Sequence, residues 1–126
     1  MKNKENTEVV QFSNWQKLDL RIGKILKAEN MEGADKLYRL LIDLGKEFGK
    51  RTLVAGLKPY YKKEELEGKQ CVVFINLESK KIRNIESKGM ILAAVVKTNQ
   101  KSFFFSPTKK SKKEVESVNL NLNFSK

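Results

Sequence analysis

Leu18-Asp19-Leu20-Arg21-Ile22-Gly23-Lys24-Ile25 alternates apolar and polar side chains until Gly23-Lys24, where the parity of the apolar positions slips. Successive side chains of a strand point to opposite faces, so the alternation marks a strand with one buried face. An extra residue at a glycine is the sequence mark of a β-bulge, which lets one long strand bend between two sides of a barrel. Just upstream, Ser13-Asn14-Trp15-Gln16 predicts a short helix capped by Ser13, with Gln16 completing the box three residues on.

The period of two recurs downstream. Leu37–Leu44 predicts a second strand ended by Gly45, and Arg51–Leu57 a third. Between them, Gly45-Lys46-Glu47-Phe48-Gly49-Lys50 lacks the spacing of a phosphate loop and the Ser/Thr after its lysine, so it predicts a turn. Pro59 closes the third strand, and Lys62-Lys63-Glu64-Glu65-Leu66 suffices for a short helix before Gly68. Cys71–Leu77 is a continuous apolar run, a buried strand, and Met90–Val96 is a fifth. Three strands, a short helix and two more strands is the order of the OB-fold, an all-β, five-stranded Greek-key barrel. The expected organisation is an N-terminal segment with a short helix (1–17), the barrel (18–98) and a lysine-rich C-terminal extension (99–126). In that extension Val118–Phe124 alternates strictly and predicts a terminal strand.

With 126 residues, 40% hydrophobic and 33% charged, the chain is expected to form one domain with its own core. No apolar run approaches the roughly 18–20 residues of a membrane span. Met1–Asn6 leads into no apolar h-region of the kind a signal peptide needs. The single cysteine, Cys71, cannot form an internal disulfide, and a cytoplasmic setting is expected. Histidine is absent altogether. That removes the commonest general base near neutral pH, the histidine-dependent nucleophilic triads and a usual zinc ligand. A binding module without metal or cofactor is the expectation, rather than an enzyme.

The formal charge is +11, unevenly spread. Between Ser79 and Lys113 ten basic residues face a single acid, Glu86, so that stretch alone carries +9. A charge concentrated in one part of the chain is a directional field, and a polyanion is its simplest partner. Nucleic acid is favoured over an anionic membrane, because the basic region contains no amphipathic helix.

Five motifs in register extend this reading: Asp19-Leu20-Arg21-Ile22-Gly23-Lys24-Ile25, Ala34-Asp35-Lys36-Leu37-Tyr38, Ala55-Gly56-Leu57, Asn76-Leu77 and Ile85-Glu86-Ser87-Lys88-Gly89-Met90-Ile91-Leu92-Ala93. From about Phe12 to Val96 the chain closely resembles the tRNA-binding domain carried at the C-terminus of many methionyl-tRNA synthetases and found in free-standing tRNA-binding proteins. The resemblance implies recognition of tRNA by shape and backbone, tRNA affinity supplied to a methionyl-tRNA synthetase catalytic chain in cis or, as expected here, in trans, and a homodimer. The stretch around Trp15 and the tail after Thr98 would supply the dimer seam, with Phe103-Phe104-Phe105 buried there or, alternatively, stacking on bases. A secretion-type chaperone branch, which binds peptides, also resembles this domain. Lys88 stands where the family usually has glutamine, which adds charge to the expected RNA face.

The candidate RNA-binding residues follow. Lys80, Lys81, Arg83 and Lys88, on the segment joining strands four and five, are expected to contact phosphates. Arginine would do so as a bidentate fork and lysine as a point charge. Asn76, Ser87 and Met90 flank that segment and match family motif positions. Asn and Ser could bond ribose hydroxyls or backbone, or Asn76 could end a strand and Met90 join the core. Lys36 and Lys58 lie by other loops. Arg21 is expected to pair with Asp19 or another acid, and Tyr38 shares parity with Leu40 and Ile42, as a core residue would, with a base-stacking platform as the alternative.

Overall fold

The apolar parity of the sequence resolves into a five-stranded sheet accompanied by two two-stranded ones. The structure, a computed structural model, describes residues 8–96 and 101–104. The chain runs α1 (Phe12–Trp15), β1 (Leu20–Met31), β2 (Ala34–Asp43), β3 (Lys50–Ala55), α2 (Lys63–Leu66), β4 (Gln70–Phe74), β5 (Lys80–Ile82), β6 (Ile85–Ser87), β7 (Met90–Ile91), β8 (Ala93–Val96) and β9 (Lys101–Phe104). Antiparallel pairing orders five of these strands as β3–β2–β1–β4–β7. The two edges then approach each other. The Lys88 N–H donates to the Thr52 carbonyl at 3.1 Å, and the Val54 N–H to Ser87 Oγ at 3.0 Å. The segment leading from β6 into β7 therefore bridges to β3. The resulting neighbour order is that of an OB-like barrel, with its short helix between the third and fourth strands.

The core lies on the inner face. Leu40 opposes Leu53 across the β2–β3 register, and both are sequestered together with Ile25, Ile42, Leu66 and Val73. Each such side chain contributes about 1.5–3 kcal/mol by leaving water. The loop carrying α2 is tied to β1 by two backbone bonds, Ile25 N–H to the Lys69 carbonyl (2.8 Å) and Gly68 N–H to the Ile25 carbonyl (2.7 Å). The Glu67 carboxylate adds a third by accepting from the Ala28 N–H at 3.1 Å. Cys71 is buried in the same core, and desolvation pushes its thiol pKa up to about 12.

Four local expectations change. The bulge in β1 falls at Leu26, not at Gly23-Lys24: pairing with β2 holds through Ile25–Ile42 and resumes at Lys27–Leu41. Gly23 stays in step with Cys71 of β4. A Cβ there would lie 2.6 Å from Ile42 Cγ2 and 2.9 Å from Leu44 Cδ2, so this glycine serves close packing. Helix α1 has Gln11 at its N-cap, with no side-chain cap bond, so Ser13 lies inside the turn it was expected to cap. The segment joining strands four and five, which the sequence reads as a loop, forms the hairpin β5–β6. The fifth strand breaks at Leu92, whose N–H donates to the Val72 carbonyl, and continues as β8. β8 pairs with β9 from Ala93–Phe104 to Val96–Lys101, across the expected boundary between 98 and 99. Phe105, the Lys109–Lys113 cluster and the Val118–Phe124 segment lie outside the described residues. Among the described residues, no helix is long and apolar enough to cross a membrane.

Candidate nucleic-acid interface

Hairpin β5–β6 pairs Lys80 with Ser87, Lys81 with Glu86 and Ile82 with Ile85, leaving Arg83-Asn84 as a two-residue turn. Both turn residues have positive φ, +52° and +67°. That is the type I′ pattern, whose twist matches the strands it joins. Asparagine tolerates it, whereas an ordinary side chain such as that of Arg83 is held there at a cost of about 1–2 kcal/mol. The result is an exposed arginine at the tip. Arg83 Nη1 lies 3.6 Å from the point where a Gly33 side chain would begin, so the tip overhangs the turn between β1 and β2. Lys36 is exposed just past that turn, and its carbonyl accepts from the Lys58 N–H at 3.4 Å. The register thus brings Arg83, Lys36 and Lys58 to one end of the sheet.

The base of the hairpin is fixed. Gly89 has φ +133°, and a Cβ there would meet the Phe74 carbonyl oxygen at 2.8 Å. Ser87 is buried; its hydroxyl accepts from the Val54 N–H at 3.0 Å and donates to the Gly89 carbonyl at 3.5 Å. Asn76 uses both ends of its amide on the chain that precedes β1. Its Oδ1 accepts from the Asp19 N–H (2.8 Å) and its Nδ2 donates to the Lys17 carbonyl (2.6 Å). Both side chains fasten backbone. Lys80, Lys81, Lys88 and Met90 are exposed.

Between the hairpin and the β2–β3 surface lies a cleft of about 970 Å³. Arg39, Lys50, Arg51 and Lys88 line it with positive charge, Phe48, Ile75, Leu77 and Ile85 with apolar surface, and Glu86 with a carboxylate. Of the nine residues expected from the sequence, only Lys88 lines this cleft. Arg39, Lys50 and Arg51 were not foreseen as part of a site. Their sequence signal was faint: Arg39 is the polar residue between Tyr38 and Leu40, and only strand register sets it beside the hairpin. Arg51 Nη1 donates to the Ile75 carbonyl at 2.7 Å, which fixes its reach.

The remaining polar features are structural. Arg21 grips Asp19 through Nε–Oδ1 at 2.6 Å and Nη2–Oδ2 at 3.2 Å, and its guanidinium sits 4.6 Å from the Phe48 ring centre. The Asp19 hydrogen bond is the main cause holding the arginine pKa above its usual value. Tyr38 is buried and its hydroxyl donates to the Tyr61 carbonyl at 2.7 Å, as its parity indicated.

Known proteins align with this arrangement. Residues 20–115 match the family model described as "Putative tRNA binding domain". A methionine–tRNA ligase of Pyrococcus horikoshii is 54% identical over 93 residues, which are 74% of this chain but 13% of that protein. The chain therefore spans only a small part of the curated relatives it matches. The crystal structure of a MetRS related protein from the same organism superposes with a TM-score of 0.73 at 30% identity, covering 83% of this chain and 94% of that one. Chaperone CsaA of Bacillus anthracis superposes at 0.72 with 28% identity, over 82% of this chain and 93% of that one.

Proposed function

The chain belongs to the tRNA-binding domain family, and from that membership we propose that it binds tRNA without catalysing a reaction on it. The observation that carries this reading is the exposed cationic hairpin standing over a cationic cleft. Lys80, Lys81, Arg83 and Lys88 contact phosphates, with Lys36 and Lys58 extending the track at the Arg83 end. Met90 borders the same surface. Ser87 and Asn76 act through the backbone they hold rather than by touching RNA. Because phosphate contacts carry no base sequence, recognition is of backbone path and shape. The domain works as a homodimer in the cytoplasm and lends tRNA affinity to a methionyl-tRNA synthetase chain in trans.

A second reading, peptide binding as a chaperone, is favoured by the likeness to chaperone CsaA. The two are separated by anisotropy of labelled tRNA titrated with the chain, with a single-stranded oligonucleotide and an unfolded polypeptide as competitors. Preference for folded tRNA supports RNA binding. Failure to bind RNA together with capture of the unfolded polypeptide replaces it with the chaperone reading.

A further inference from the structure

Phosphate recognition leaves one side chain of the cleft unexplained. Glu86 is the single acid between Ser79 and Lys113, and it lies on the wall of a cleft that four cations line. It stands opposite Lys81 in the hairpin register, yet among the described residues it enters no ion pair within 4.0 Å. Its carboxylate is therefore available. An ionised carboxylate only accepts hydrogen bonds, and it repels phosphate. Beside it, Leu77 and Ile85 offer apolar surface, and Leu77 is exposed.

We propose that this cleft takes an unpaired nucleotide whose base bears an exocyclic amino group, with Glu86 accepting from that group. The inference rests on the RNA-binding reading and goes beyond it, since it adds a base contact to a backbone-reading surface. The phosphate sits toward Lys88 and Lys50, and the base lies over Leu77. Single-stranded nucleotides are recognised in this way, by a splayed base on an apolar surface with its Watson–Crick edge hydrogen-bonded. Cytosine offers the N4 amino group, for which Glu is a matched acceptor, whereas uracil offers O4, an acceptor that a carboxylate repels.

Cytidine and uridine oligoribonucleotides of equal length carry the same charge and ring size, so they isolate this contact. The full chain should bind the cytidine oligomer at least about fivefold more tightly than the uridine one. In Glu86→Ala the uridine oligomer should bind more tightly, through the loss of a repelling carboxylate, the cytidine oligomer should not, and the preference should vanish. Glu86→Gln, whose amide can turn to accept from cytosine N4 or donate to uracil O4, should lose most of it. Equal affinity of the unsubstituted chain for both oligomers, or a preference that survives Glu86→Ala, overturns the inference. In either case tRNA binding that falls with Lys80, Lys81, Arg83 and Lys88 would leave the RNA-binding reading standing; loss of all RNA affinity would sink that reading itself.

Discussion

The barrel and the hairpin β5–β6 are built on opposite terms. In the barrel, Leu40, Ile42, Leu53 and Val73 are almost wholly withdrawn from water, and polar groups such as the Tyr38 hydroxyl find a partner. In the hairpin only Ser87 is buried, four cations face solvent counting Lys88 at its base, and two adjacent residues hold positive φ. One region gains stability from its residues; the other spends some of it in a strained, self-repelling turn. Ser87 and Gly89 hold the base of this turn in place. The separation means that stability and RNA affinity should respond to different substitutions.

The largest effect should fall on stability alone. Leu40→Ala opens a cavity in the fully sequestered core and should lower unfolding free energy by about 2–5 kcal/mol. Denaturant titration reads the loss, while tRNA affinity measured well below the melting point stays close to that of the unsubstituted chain. A joint collapse of both would erase the distinction between the regions. Next comes the reverse case: replacing Lys80, Lys81, Arg83 and Lys88 together by alanine should weaken tRNA binding by on the order of a hundredfold or more at moderate salt. Its thermal midpoint should move by no more than a few degrees, since these side chains are exposed.

Arg83→Gly sharpens the comparison, because it should move the two properties in opposite directions. Relief of the left-handed arginine should stabilise the protein by about 0.5–1 kcal/mol, while tRNA affinity drops several-fold. A destabilised variant would mean that the tip arginine supports the fold. The smallest effect at neutral pH concerns Cys71. Its folded pKa is raised, so the native state holds the proton more tightly than the unfolded chain. Its contribution is constant below about pH 9 and is lost as pH rises toward about 12. Cys71→Val should remove that part of the alkaline destabilisation in paired denaturant titrations, with no change in tRNA affinity.

Much of this division was legible in the chain. The parity of Leu37–Leu44 gave the buried face of β2, Arg21 was expected to pair with Asp19 or another acid, and the charge run marked the segment that folds as the hairpin. What escaped depended on partners distant in sequence. Gly23 reads as a bulge until Ile42 and Leu44 are seen to close over it, and the actual bulge at Leu26 carries no glycine to announce it. Ser13 resembles a cap in isolation, but the turn starts one residue before it. Asn76 and Ser87 match motif positions beside a basic segment; besides the local Ser87–Gly89 contact, their bonds go to Lys17, Asp19 and Val54, which no local window contains. Arg39, Lys50 and Arg51 join the cleft only through the β2–β3 register.

The central claim is that the hairpin supplies the phosphate contacts and the barrel only supports them. It is tested most directly by the slope of log K against log salt for tRNA, taken for the unsubstituted chain and for the variant with alanine at Lys80, Lys81, Arg83 and Lys88. Each phosphate contact removed should lower the slope by about one, so the account predicts a difference of about three to four between the two lines. Parallel lines would place the phosphate contacts elsewhere on the molecule and contradict it.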